Sequence, residues 1–183
     1  MPKTDEDLNA SLSRSDLIYS AEQVAEAIDS IADQLNERLK GAQPLLLCVM
    51  NGGLVFSGHL LTRLNCFPQI DYIHATRYRN QTSGSALEWR AYPQHDLKGR
   101  SVVILDDILD EGITLKEIID YCREQGAKEV LSAVLVKKKH ERCVDGVESD
   151  YVGLEVEDKY VFGFGMDYKS QLRHLDGIYA LSE

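Results

Sequence analysis

No two cysteines stand at CxxC spacing. Cys48, Cys66, Cys122 and Cys143 lie apart in apolar or irregular surroundings, with no histidine at a metal-ligand interval. That argues against a zinc site or a dithiol redox motif and reads the cysteines as reduced thiols. No apolar run approaches the roughly 18 residues that a membrane helix needs, and the opening MPKTDEDLNASLSRSD lacks the apolar segment of a signal peptide. A cytoplasmic protein without membrane contact is expected. Positive charge is also scarce, with 20 Lys plus Arg against 30 Asp plus Glu and a formal net charge of −10. Such a field repels polyanions, so nucleic acid is not an expected partner. Neither GxxxxGK[ST] nor GxGxxG occurs, which removes the Walker loop and the dinucleotide fingerprint. Repeats and low-complexity tracts are missing as well, and 183 residues suit a single domain over 1–183.

What is present alternates between two periodicities. Val24, Ile28, Ile31, Leu35 and Leu39 lay an apolar stripe along one helix face, with a Ser20/Gln23 capping box before it and Gly41 after it. LLLCVM, from Leu45 to Met50, is unbroken apolar sequence and fits a strand covered on both faces of a parallel sheet. A turn at Asn51, Gly52 and Gly53 follows, then a helix over Leu54–Leu64 and a strand over Ile70–Tyr78. Residues 79–96 are polar and aperiodic, which suits either a mobile functional loop or a small hairpin. A strand over Ser101–Leu105, a helix over Thr114–Gln125 and a buried strand over Val130–Val136 complete an α/β pattern. Strands alternating with helices imply right-handed βαβ units and a mainly parallel sheet, whose ligands bind at the carboxyl ends of the strands.

Beyond Leu105 the chain places Asp106, Asp107, Asp110 and Glu111 in one loop, closed by Gly112, Ile113 and Thr114 at the start of a helix. Gly112 permits a tight turn, and free N–H groups with the Thr114 hydroxyl make a small anion cradle. Carboxylates beside a phosphate repel it unless they accept hydrogen bonds from sugar hydroxyls or hold a bridging magnesium ion. A phosphorylated sugar meets both conditions. Asp106 and Asp107 would take ribose hydroxyls or the metal, the backbone from Asp110 to Thr114 would take phosphate, and Asp110 would be free for proton transfer. Adjacent acids that merely cap the next helix or face solvent are the plain alternative.

VVILDDILDEGITL resembles the phosphoribosyl-pyrophosphate signature of the type I phosphoribosyltransferases. From about Leu45 onward the chain is similar to the branch that acts on hypoxanthine and guanine. The resemblance implies that family's fold, a mainly parallel twisted sheet flanked by helices, with a small hood and a mobile lid over about residues 78–96. It implies that Asn51 and Gly52 touch pyrophosphate through the backbone, and that Arg77 and Tyr78 begin the lid. Lys137 in LVKKKH would read the purine, Tyr160 would stack on it, and the Val161 carbonyl would bind it. Asp167 would contact magnesium alongside Asp106 and Asp107, and Arg173 would contact pyrophosphate. Asp110 would be the catalytic base. The implied partners are phosphoribosyl pyrophosphate and a 6-oxopurine, with Mg2+ as cofactor and a homodimer or homotetramer as the assembly.

These assignments have physical content. A lysine ammonium donates to the exocyclic oxygen of a 6-oxopurine but meets a second donor on adenine. Hydrogen-bond discrimination of that kind can reach about 10⁴. Three positions depart from the pattern: Asn51 where lysine is common, Glu111 where the phosphate loop usually carries threonine, and Arg77 where a small hydroxyl residue is usual. The Glu111 side chain is expected to turn away from the phosphate. An RNA-binding regulator or a non-catalytic nucleotide binder on the same fold stays open, as does, lower in rank, a receiver-type signalling domain.

Overall fold

A computed structural model of the chain describes residues 4–77 and 87–182. In chain order the elements are α1 (Asp5–Leu12), β1 (Ser15–Tyr19), α2 (Ala21–Arg38), β2 (Leu45–Val49), α3 (Gly53–Leu61), β3 (Gln69–Arg77) and β4 (Leu87–Ala91). There follow β5 (Ser101–Leu109), α4 (Ile113–Glu124), β6 (Glu129–Lys139), β7 (Tyr151–Glu157), β8 (Val161–Phe162) and β9 (Ile178–Leu181). Six strands form one sheet in the order β4-β3-β2-β5-β6-β7, with β4 antiparallel to its neighbour and the other pairs parallel. This is the expected α/β architecture.

The central strand shows why its sequence is apolar throughout. Leu46 packs with α2 and α3, against Val24, Ile28, Ile31, Leu35, Phe56 and Leu60. Leu45, Leu47 and Val49 pack on the opposite face with Leu115, Ile118 and Cys122 of α4. All five residues of β2 are buried, so neither face tolerates a polar side chain. The α2 stripe behaves as its spacing predicts, and the capping box forms: the Gln23 N–H donates to Ser20 Oγ and the Ser20 N–H to Gln23 Oε1.

A second, three-stranded sheet, β1-β9-β8, is antiparallel and forms the hood. Phe162, Tyr168 and Leu172 are its buried apolar centre, and Leu8 and Leu12 of α1 pack against them. The family resemblance implied a hood; its strands are too short for periodicity to reveal.

Three differences from the sequence reading bear on the site. β5 continues through Leu109, so Asp106 and Asp107 belong to a strand instead of lying in a loop, with Asp106 paired to Val134 of β6. β6 continues to Lys139, so Lys137 lies within a strand, opposite Leu109 and Glu155, and does not end one. Of the segment assigned to the lid, residues 78–86 lie outside the described residues. Residues 87–91 form β4, paired antiparallel with β3, the hairpin alternative rather than irregular chain.

Asp71 fixes the return from that hairpin. Its buried carboxylate accepts hydrogen bonds from the Tyr72, Gln94 and His95 N–H groups and lies 2.8 Å from His95 Nδ1. Burial alone would raise this carboxyl, but the His95 and backbone hydrogen bonds outweigh it and hold it below its ordinary value.

Candidate active site

From β2 the chain moves to β3 on one side, while β5 pairs with β2 on the other. That switch in direction opens a crevice at the carboxyl ends of the strands. α3 and α4 both begin there, so the N-terminal residues of both helices line one cavity of about 830 Å³. Its walls include Asn51, Gly52, Asp106, Asp107, Asp110, Gly112, Thr114, Asp167 and Arg173. Segments far apart in sequence thus meet at the place the strand order dictates.

Two glycines shape the floor. Gly112 caps α4 at φ +79°, a left-handed conformation that a side chain disfavours, and no side chain caps the helix there. The α4 N-terminus lies at the cavity wall, and N–H groups of that kind can receive an anion. A Cβ on Gly52 would fall 2.0 Å from Asp107 Oδ2, so Asp107 rests against bare backbone.

Asp106 and Asp107 stand side by side. The Asp107 N–H donates to Asp106 Oδ1 at 2.9 Å. Burial pushes the Asp106 carboxyl well up, and the Asp107 charge pushes it further. Burial raises Asp107 as well, with the Asp106 hydrogen bond and the Arg173 charge pulling the other way. Two carboxyls in that condition are under-compensated, and their oxygens are the hard donors that magnesium prefers.

Asp110 is not free, contrary to the sequence reading. Lys138 Nζ lies 3.0 Å from Oδ2, His140 Nε2 lies 2.7 Å from Oδ1, and an Arg142 guanidinium nitrogen is 3.7 Å from Oδ1. Burial would raise this carboxyl, but the Lys138 and His140 hydrogen bonds and the Lys138 charge win and lower it. Among the described residues Asp110, His140 and Asp158 offer three potential metal donors within 4.8 Å of one another. Lys138 and Arg142 already sit on those carboxylates, which leaves little reason for a divalent cation there.

Across the cavity, Asp167 accepts from Arg173 at 3.0 Å and from the Ser170 N–H at 2.7 Å. Arg173 also donates to the Gly165 carbonyl. Half-exposed Tyr160 donates its hydroxyl to the Asp167 carbonyl at 2.9 Å, and Val161 is buried in β8 opposite Ala180. Neither lines the cavity, and neither do Glu111, Ile113 or Lys137. Lys138 does not line the cavity either, but it is the lysine that reaches Asp110, which does. Arg77 closes β3 opposite Leu87, and Tyr78 lies outside the described residues.

Sequence reasoning missed part of the wall. Glu88 and Arg90 of β4 and His74 and Thr76 of β3 line the cavity. The alternation in LEWRA, with Glu88 and Arg90 outward and Trp89 stacked on Tyr92, is the hairpin signal that marks this strand. His140 and Arg142 left no such signal in the run KKKHER.

A profile of the phosphoribosyl transferase domain matches residues 15–171. The chain belongs to the phosphoribosyltransferase family. The match begins at β1, well before Leu45, so the hood's first strand is part of the family fold. A hypoxanthine-guanine phosphoribosyltransferase of Streptococcus pneumoniae is 30% identical over 168 residues, covering 91% of this chain and 93% of the relative. One from Bacillus subtilis is 29% identical over 161 residues, covering 87% and 88%. These relatives place the chain in the hypoxanthine-guanine group of phosphoribosyltransferases. Among solved structures, a Bacillus anthracis hypoxanthine-guanine phosphoribosyltransferase superposes with a TM-score of 0.85 at 27% identity, over 90% of this chain and 97% of that one. A Staphylococcus aureus hypoxanthine phosphoribosyltransferase shares the fold with a TM-score of 0.88 at 22% identity, over 98% and 97%.

Proposed function

We propose that this phosphoribosyltransferase moves the 5-phosphoribosyl group from phosphoribosyl pyrophosphate to hypoxanthine or guanine, a purine-salvage reaction. A bond forms between a purine ring nitrogen and the anomeric carbon, and the bond from that carbon to pyrophosphate breaks. The observation that carries the proposal is one cavity joining the Asp106–Asp107 pair, the α4 N-terminus, Asp110 and the Asp167–Arg173 pair. Its volume of about 830 Å³ lies in the range of roughly 300–1,000 Å³ usual for small-molecule sites.

The main-chain N–H groups at Gly112–Thr114 hold the 5′ phosphate, with the Thr114 hydroxyl beside them. Asp106 and Asp107 accept from the ribose hydroxyls. The Gly52 backbone and Arg173 lie toward the pyrophosphate, where the guanidinium balances charge on the leaving group. Asp110 accepts the proton or hydrogen bond from the purine's other imidazole nitrogen. Tyr160 offers a flat face to the base and Val161 its carbonyl. Lys138, already beside Asp110, is better placed than Lys137 to donate to the exocyclic oxygen. Magnesium fits the Asp106 and Asp107 oxygens, with Asp167 nearby, and when bound would neutralise charge on the leaving pyrophosphate. A closed lid from Arg77 and Tyr78 onward would exclude water.

A cytoplasmic location and a homodimer or homotetramer belong to the same proposal. Among the described residues no helix is long and apolar enough to cross a membrane.

The test is a spectrophotometric assay with phosphoribosyl pyrophosphate, magnesium and four bases. Hypoxanthine or guanine should turn over and adenine should not; comparable turnover of adenine refutes the 6-oxopurine reading. Lys138→Ala should lower kcat/KM for the 6-oxopurine more than Lys137→Ala does. The reverse order returns the role to Lys137.

A further inference from the structure

Asp110 is held by two donors of different character. Lys138 reaches Oδ2 on a four-carbon stem with freely rotating bonds. His140 reaches Oδ1 from a ring whose side chain is only 5% exposed, at the turn just past β6. The Arg142 N–H donates to the other ring nitrogen, Nδ1, at 3.1 Å. A nitrogen that accepts an N–H carries no proton, so the ring's proton is on Nε2 and is given to Asp110. The Arg142 guanidinium is in turn held by both oxygens of Asp158, whose carboxyl that contact draws down to about 2. The turn Glu141–Arg142 is thereby anchored, and the tautomer with it.

An acid that meets a purine N–H must offer one oxygen. Lys138 is the donor able to leave, since the exocyclic oxygen of the bound base gives its ammonium another acceptor. His140 has Asp110 as its acceptor and little freedom to turn. We propose that His140 is a positioning residue for the transfer, holding Asp110 Oδ1 through a tautomer locked by the Arg142 N–H and leaving Oδ2 to the purine. The proposal rests on the reading that Asp110 accepts from the base. The charged and titratable groups around that carboxyl are Lys138 on β6, His140 and Arg142 after it, Asp158 behind Arg142, Glu111 next in the chain, and Asp106 and Asp107 along the cavity wall.

Two substitutions separate positioning from packing. His140→Asn keeps an acceptor for the Arg142 N–H but is too short to reach Asp110, whereas His140→Gln places an amide donor near the lost Nε2. His140→Asn should lower kcat by ten- to a hundredfold, the scale of a hydrogen bond to a charged group, with KM for phosphoribosyl pyrophosphate within about twofold of the parent. The acid limb of its pH profile should move to higher pH, because a contact that lowers the Asp110 carboxyl is gone. His140→Gln should restore both. Carbon-13 NMR of the Asp110 carboxyl should show the same upward shift in His140→Asn without substrate. Equal losses in both variants with an unmoved Asp110 titration, or no loss in either, overturn the proposal. If the parent fails to turn over any base, the functional reading falls, while the NMR titration still decides whether His140 controls Asp110. Should His140→Asn not fold, the comparison of His140→Gln with the parent decides: kcat and Asp110 titration both near the parent's support the exchange of donors, and a lowered kcat with an unmoved Asp110 titration overturns the proposal.

Discussion

Asp106 and Asp107 lean on each other at the end of β5, with Arg173 the main opposing charge, whereas Asp110, just beyond, is wrapped by Lys138, His140 and Arg142. The same residue type therefore answers burial in opposite directions within five positions: up for the pair, down for the single acid. The pair wants positive charge or donors brought from outside, which suits a metal and sugar hydroxyls. The single acid already has its donors, which keeps it ionised and aimed, as suits a proton acceptor. The difference lies in the neighbouring strands, not in the acids.

Removing the charge of Asp110 breaks the comparison most severely. Asp110→Asn should lower kcat by about 10²–10⁴, the usual worth of a general base, with the donor KM little changed in steady-state kinetics. An unchanged kcat would show that the well-compensated acid is structural.

Gly52→Ala strikes the pair from below. Its Cβ, 2.0 Å from Asp107 Oδ2, forces the carboxylate or the α3 start to move. A cost of about 1–3 kcal/mol in urea denaturation is expected for such overpacking, together with a raised KM for phosphoribosyl pyrophosphate. A neutral result would mean that Asp107 relocates without consequence.

Asp106→Asn has the smallest effect and the most telling sign. The folded carboxyl is raised, so the ligand-free protein is stabilised by its protonation at low pH, and that contribution is lost as pH rises through the folded value. The Asn variant should escape that loss and be more stable than the parent at neutral pH by on the order of 1 kcal/mol, even as donor binding weakens. The opposite sign belongs to Asp71, whose lowered carboxyl stabilises at neutral pH and ceases to do so as pH falls through its folded value. Thermal melts across pH, with and without Mg2+, check the Asp106 expectation; a less stable Asn variant would show that the pair is not under-compensated.

Much of the sheet was legible in the residues. The unbroken run at Leu45–Val49 and the α2 stripe declare themselves because burial on two faces and on one face leave different periodicities. The short hood strands leave none: Val161–Phe162 is two residues long, and its place depends on pairing with β9. The acids after Leu105 were readable as a group, but not their division of labour. Lys138 and His140 sit in a run that looks like a solvated charge tract, and only the strand's extension to Lys139 brings them beside Asp110. Glu88 and Arg90 did leave a signal, the alternation in LEWRA, but five residues of it read as loop until the partner strand is known.

The hood joins strands from near both ends of the chain, Ser15–Tyr19 against Ile178–Leu181. During synthesis the parallel core can consolidate as its strands emerge, but β1 must wait for β9. The wall that carries Asp167 and Arg173 is thus finished last, after the β5 acids and the α4 N-terminus are already in place.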